Sequence, residues 1–283
     1  MKVFKTKKGL ITHVIDQKQA GFSVGLVPTM GALHQGHFSL VKAALNSNKC
    51  VVVSIFVNPT QFNISDDLNK YPRTLDKDIK LLETLSRRSI VVYAPSIEDV
   101  YGTKMSADCF DFDGLELEME GRFRVGHFNG VGTIVKRLFE IVNPNNSYFG
   151  EKDFQQLQII KKMVKITKLP VKVIGCPIER EPNGLAMSSR NTRLNALERD
   201  ESALIFKTLK LVKQKFKTDG VQAICSWVDT QFSTHPLFEL EYFQISEVET
   251  LAAIEQKNTN KTCRAFIAVL VRDIRLIDNI DLN

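Results

Sequence analysis

Short apolar runs alternate with segments of helical periodicity along most of this chain, and that alternation restricts the fold more than any other feature. Phe22, Val24, Leu26 and Val27 form a first strand-like stretch, followed by Val51–Val57, Ile90–Ala94, Tyr148-Phe149 and Val171–Ile174. Between them, Phe38, Leu40, Val41, Ala44 and Leu45 recur at helical spacing, as do Leu75, Ile79, Leu82 and Leu85. Val131, Ile134, Val135, Leu138, Phe139 and Val142 form another stripe, and Phe154, Leu157, Ile160, Met163 and Val164 a further one. Strands in apolar runs separated by amphipathic helices predict a parallel sheet wrapped by helices. The expectation is an α/β, doubly wound Rossmann-like domain over residues 1–176. Pro177 and the polar loop through Pro182-Asn183-Gly184 interrupt the rhythm. Helices near 196–217 and 220–232 and strands near 238–245 and 264–271 then predict a smaller α+β domain over residues 177–283.

A length of 283 residues with 43% apolar content can bury two cores. No run approaches the ~20 apolar residues of a membrane span, and Met1–Lys8 is too charged for a signal peptide. A cytoplasmic, globular protein is expected. Cys50, Cys109, Cys176, Cys225 and Cys263 are scattered without a CxxC pair, so neither a disulfide framework nor a zinc site is indicated, and buried apolar roles are expected. The net charge of +6 does not signal nucleic acid, because the lysines within 5–8 and 210–217 alternate with other residues as a solvated helix face does. A basic chain suits an anionic small molecule.

The chemistry concentrates where strands end. Pro28-Thr29-Met30-Gly31-Ala32-Leu33-His34-Gln35-Gly36-His37 joins the first apolar stretch to a helical one. Unpaired N–H groups at a helix N-terminus, two imidazoles three residues apart, and Gly31 and Gly36 allowing close backbone approach together suit an ATP triphosphate. Taken singly, His34 or His37 reads more readily as a loop-capping or surface histidine; two histidines, two glycines and the strand and helix flanks together reverse that. After the second strand, Asn58 and Gln61 supply neutral amides that can grip hydroxyls and a carboxylate without neutralising the latter. Gly150-Glu151-Lys152-Asp153 follows the Tyr148-Phe149 strand. Lys152 can bind phosphate oxygens there, Asp153 can cap the next helix, and Gln156 is expected on the same helical face as Lys152. In Met187-Ser188-Ser189-Arg190, hydroxyls and a guanidinium can clamp a polyphosphate from a mobile interdomain loop.

These segments resemble the pantothenate synthetase family, within the wider HIGH-motif nucleotidyltransferases. The resemblance rests on Pro28–His37, Ser54–Phe62, Tyr71-Pro72-Arg73-Thr74, Gly126-His127-Phe128, Tyr148–Leu157, Met187–Asn191 and Arg275–Asn279, in that family's order and spacing. It implies a ligase that forms pantoyl adenylate and pyrophosphate from pantoate and ATP, then releases AMP as β-alanine attacks to give pantothenate. By that likeness Met30, Gly31, Ala32, Leu33, His34, Gln35, Gly36 and His37 line the ATP site, with His34, His37 and Lys152 on phosphates and His37 also the proton donor. Gly150 to Asp153, Glu179, and Met187, Ser188, Ser189 and Arg190 also meet the nucleotide. Gln61, Gln156 and Asn58 hold pantoate, and Gln61 later holds β-alanine. Mg2+ accompanies ATP on phosphate oxygens, with Asp78 a candidate carboxylate ligand, although an Asp so placed on a helix is more often solvated. The resemblance also implies a homodimer and a C-terminal lid over the nucleotide. The chain departs from the family at Val125, where a proline is usual, and at Glu179, commonly apolar. Two rivals remain at this point: another nucleotidyltransferase of the superfamily, and a non-catalytic RNA- or nucleotide-binding module.

Overall fold

The computed structural model describes residues 1–62, 68–69, 71–258 and 260–283. Its larger sheet has six parallel strands: β1 (Lys2–Phe4), β2 (Val24–Thr29), β3 (Cys50–Ile55), β4 (Ile90–Tyr93), β5 (Asn146–Gly150) and β6 (Lys172–Cys176). The strand order is β1-β4-β3-β2-β5-β6. Winding proceeds from β2 through β3 and β4 in one direction, and through β5 and β6 in the other. The order therefore reverses at β2, and in open α/β sheets the carboxyl ends of the strands at such a switch point are where ligands bind.

The connecting helices are α1 (Lys7–Gln19), α2 (Gln35–Ser47), α3 (Leu75–Leu85), α4 (Ile97–Tyr101), α5 (Glu120–Phe123), α6 (His127–Val142) and α7 (Phe154–Thr167). Every residue from Ile90 to Tyr93 is buried, as are Cys50 to Ser54, which is why these strands read as unbroken apolar runs. Helix α2 lays Phe38, Leu40, Val41 and Ala44 against Val27, Val51, Val53 and Val92. Each such large side chain stabilises the fold by about 1.5–3 kcal/mol relative to an exposed one. At the head of α6, Gly126 adopts φ +78° and the preceding Val125 is 82% exposed.

The C-terminal part forms α8 (Ala196–Glu201), α9 (Ala203–Lys215) and α10 (Val221–Ser233), followed by an antiparallel sheet of β7 (Glu239–Glu247), β8 (Cys263–Val271) and β9 (Ile274–Asp281) in sequential order. Its core joins Leu209, Val212, Ile224 and Val228 to Ile267, Val269 and Leu276. Two compact units result: residues 1–116, 121–151 and 156–177, and residues 117–120, 152–155 and 178–283.

Several expectations need correction. The continuous helix near 196–217 divides at Ser202, whose hydroxyl donates to the Glu198 carbonyl at 2.6 Å. Strands β1 and β9 and helix α1 were not anticipated. Of the cysteines, Cys50, Cys176 and Cys263 are buried, with burial pushing the Cys50 thiol up to about 11, but Cys109 is exposed and Cys225 half-buried. Among the described residues, no helix is long and apolar enough to cross a membrane.

Candidate functional site

The segment leaving β2 is held in an unusual backbone path. Thr29 donates its hydroxyl to the Ser54 carbonyl at 2.8 Å and accepts the Gly31 N–H at 3.2 Å. Gly31 then turns at φ +86°, and a Cβ there would approach Ile55 Cγ2 to 3.1 Å and Asp78 Oδ2 to 3.3 Å, so conformation and contact both call for glycine. Ala32 follows at φ +51°, a left-handed position costing a non-glycine residue about 1 kcal/mol. The compensation comes from α3. Asp78 accepts the Ala32 N–H at 3.0 Å and the Leu33 N–H at 2.9 Å, while Thr74 donates to both of its oxygens at 3.2 Å. Asp78 is 1% exposed, which overturns its reading as a solvated helix residue. Its oxygens are committed to bracing the loop.

His34 is the N-cap of α2, and its Nδ1 accepts the Gly36 N–H at 3.1 Å. His37 Nδ1 accepts the His34 N–H at 3.3 Å, and the two rings lie 4.1 Å apart between centroids. Because each Nδ1 is an acceptor, the hydrogen-bond pattern assigns the neutral ring proton to Nε2 in both residues. Nδ1 thus shapes the helix start in each residue, and the remaining ring N–H sits on Nε2. Both side chains are half-buried.

One strand over, Asn58 precedes and Gln61 ends a 3-10 turn spanning Pro59–Gln61. Asn58 is 1% exposed and its bonds stay within the protein. Its Nδ2 donates to Gln61 Oε1 and to the Gly130 carbonyl, each at 3.2 Å, and its Oδ1 accepts from Tyr101 at 2.6 Å and from Thr60 at 3.2 Å. Burial raises the Tyr101 phenol above its usual pKa, which keeps that donor protonated. Asn58, expected to touch ligand, is therefore better described as the group that orients Gln61. Gln61 donates from Nε2 to Met30 Sδ at 3.2 Å, and its carbonyl pairs with His127 Nδ1 at 2.7 Å. A thioether is a weak acceptor, so this amide can readily exchange it for a carboxylate or hydroxyl.

Pairing of Thr29 with Ile55 sets these two loops side by side at the carboxyl ends of β2 and β3. His34, His37, Met30, Asp78, Asn58 and Gln61 all belong to the larger unit, as do Gly150, Glu151 and a half-buried Gln156. Lys152 does not lie on the helix that carries Gln156. It occupies a 3-10 turn over Glu151–Asp153, and α7 begins at Phe154, so the shared helical face expected for the two residues is absent.

Lys152 and Asp153 belong to the smaller unit, together with Glu179 and Met187 to Arg190. Lys152 Nζ approaches Asp153 Oδ1 at 3.5 Å. Glu179 is exposed, and its carbonyl accepts the Met187 N–H at 2.9 Å, so its side chain can turn away from any backbone contact. Ser188 caps the 3-10 turn Ser189–Arg193 by accepting the Arg190 N–H. Asn191, 2% exposed, ties this turn to Glu181 at 2.8 Å and to the Ala186 carbonyl at 3.1 Å.

Asp78 and Thr74 as a brace, Tyr101 and Gly130 went unseen in the sequence, Thr74 standing out only within the Tyr71-Pro72-Arg73-Thr74 motif. Gly130 carried a signal, a glycine on the buried stripe of α6: a Cβ there would stand 2.3 Å from the Thr60 carbonyl oxygen and 2.8 Å from Gln61 Cα. His127 stood out only as part of a motif. Among the described residues, no group of three or more His, Cys, Asp or Glu side chains could hold a metal ion.

Comparison with known proteins places this geometry in context. A profile described as pantoate-beta-alanine ligase matches residues 2–281. The chain is 53% identical over 282 residues to a pantothenate synthetase of Flavobacterium psychrophilum, covering 100% of both. It is 52% identical over 283 residues to one of Christiangramia forsetii, again covering 100% of both. Among solved structures, a pantothenate synthetase of Thermus thermophilus matches with a TM-score of 0.91 at 34% identity, covering 100% of this chain and 99% of that one. A pantoate-beta-alanine ligase of Francisella tularensis, complexed with beta-gamma ATP and beta-alanine, matches with a TM-score of 0.76 at 34% identity over 100% and 98% of the two chains.

Proposed function

The chain belongs to the pantoate–β-alanine ligase family, and from that membership we infer how its residues divide the work of the reaction. The activity is the ATP-dependent condensation of pantoate with β-alanine, giving pantothenate, AMP and pyrophosphate. In the proposed first step a pantoate carboxylate oxygen attacks the α-phosphorus of ATP. The bond to the bridging oxygen breaks and pyrophosphate leaves. In the second step the β-alanine amine attacks the acyl carbon of pantoyl adenylate, AMP departs with the acyl C–O electron pair, and the amine loses a proton.

The observation that carries this reading is the braced loop at the sheet's switch point: two Nε2–H donors at a helix N-terminus, beside an oriented glutamine amide. His34 and His37 take triphosphate oxygens, with His37 supplying the proton to the departing group. Lys152, with Ser188, Ser189 and Arg190, opposes the charge that builds on the phosphates. Gln61 holds pantoate and later β-alanine, Gln156 holds pantoate, and Asn58 fixes the Gln61 amide. Such a site works by position and electrostatics, with no covalent acyl-enzyme.

Magnesium is proposed as the ion that enters with ATP. The engaged oxygens of Asp78 do not fit a protein-built cage, whereas a small, strongly hydrated cation is suited to phosphate oxygens. A cytoplasmic homodimer is carried forward from the family resemblance. The direct test is AMP release with pantoate, β-alanine and ATP each omitted in turn: full turnover requires all three, and AMP release independent of pantoate would refute the reading.

A further inference from the structure

The motif Arg275–Asn279 near the end of the chain has no part in the roles assigned so far, yet its last two residues meet the neighbourhood of Lys152. Asp278 and Asn279 are 4% and 2% exposed. Arg180 grips Asp278 with both guanidinium nitrogens, Nη1 to Oδ2 at 2.6 Å and Nη2 to Oδ1 at 3.0 Å, and its guanidinium stacks 3.6 Å from the Phe206 ring centroid. Oδ1 also accepts the Asn279 N–H at 2.8 Å. The Asn279 side chain is fixed at both ends: Arg264 donates to Oδ1 at 2.5 Å, and Nδ2 donates to the Lys152 carbonyl at 2.9 Å.

The same segment is knitted to its unit by further contacts. Arg264 lies 4.1 Å from the Phe154 ring centroid, and Gln155 bonds the Glu118 carbonyl at 2.7 Å and the Glu120 N–H at 3.0 Å. Residues 152–155 consequently group with the C-terminal sheet, although they follow directly from β5. Arg180 has a second tie. It bridges to Ala186 and donates to the Gly184 carbonyl at 3.1 Å, so it also anchors the hairpin leading into Met187–Arg190.

We propose that Asn279, oriented by Asp278 and Arg180, is a positioning residue for Lys152, fixing the backbone from which its ammonium reaches phosphate. One buried carboxylate thereby sets both the lysine turn and the root of the serine–arginine loop. A long lysine stem has many rotamers, and fixing its Cα by a buried hydrogen bond narrows the volume its charge can sample. The inference rests on the reading of Lys152 as a phosphate-binding residue.

A double-mutant cycle on the full chain tests it, using pantoate-dependent exchange of labelled pyrophosphate into ATP and circular dichroism for the folded fraction. Lys152→Ala is expected to lower exchange about 10²-fold. Asn279→Ala should lower kcat about tenfold with the KM for pantoate unchanged, and should have less than about a twofold effect in the Lys152→Ala background. A tenfold loss in both backgrounds, or no loss in either, overturns the proposal. Normal exchange by Lys152→Ala alone would instead remove the reading beneath it, an outcome recognisable without the Asn279 variant. Should Asn279→Ala not fold, Asn279→Ser, which keeps a short polar group, is put through the same cycle: a loss confined to the Lys152 background supports the proposal, and an equal loss in both overturns it.

Discussion

At His34 and His37 the Nδ1 atoms shape the start of α2, the Nε2–H groups are proposed to meet phosphate, and the local sequence already contains both rings. A histidine at an N-cap, another three residues on and a glycine between them were legible, because every contact involved lies within four residues. The brace beneath them was not, since Asp78 reaches Ala32 and Leu33 from 45 residues away or more and its burial is a product of tertiary packing alone. Replacing this carboxylate by an amide leaves one loop N–H facing an N–H, at a penalty of about 1–3 kcal/mol. Asp78→Asn is therefore expected to reduce adenylate formation at least about tenfold, through displacement of the loop that presents the histidines. Titrating Mg2+ during the assay separates the roles: a brace predicts no recovery at high Mg2+, whereas recovery would return Asp78 to the metal.

Among the elements, α6 illustrates how a helix backbone can decide where the side-chain amide proposed to hold pantoate sits. Its glycine at 130 lets the helix backbone meet the 59–61 turn, and its carbonyl there receives Asn58. Gly130→Ala would drive a methyl group into the Thr60 carbonyl, destabilising the protein by about 1–3 kcal/mol. Stopped-flow or steady-state kinetics on the folded fraction should show a raised KM for pantoate with the KM for ATP little changed, since the loop proposed to meet the nucleotide is braced separately, from α3. Equal changes in both would contradict this division. The helical stripe of α6 was plain in the sequence, but stripes do not say which glycine touches a neighbour. Likewise, placing Lys152 and Gln156 on one face failed because the chain makes a 3-10 turn before α7, an irregularity that spacing cannot reveal.

For the whole molecule, unbroken apolar runs made the doubly wound sheet readable, because strands covered on both faces leave no polar alternation. The strands that escaped notice are those with mixed composition. β1 is a three-residue edge strand beside β4, and β9 interleaves Arg275, Asp278 and Asn279 with its apolar residues. Two of the polar residues that masked β9 are the ones that reach outward: Asp278 to Arg180 and Asn279 to the Lys152 carbonyl. In the proposed reaction this chain activates pantoate on the nucleotide before the amine takes part. Labelled pyrophosphate supplied with ATP and pantoate, in the absence of β-alanine, should enter ATP at a rate that falls to background when pantoate is withheld. Exchange that ignores pantoate, or that appears only once β-alanine is added, would contradict it.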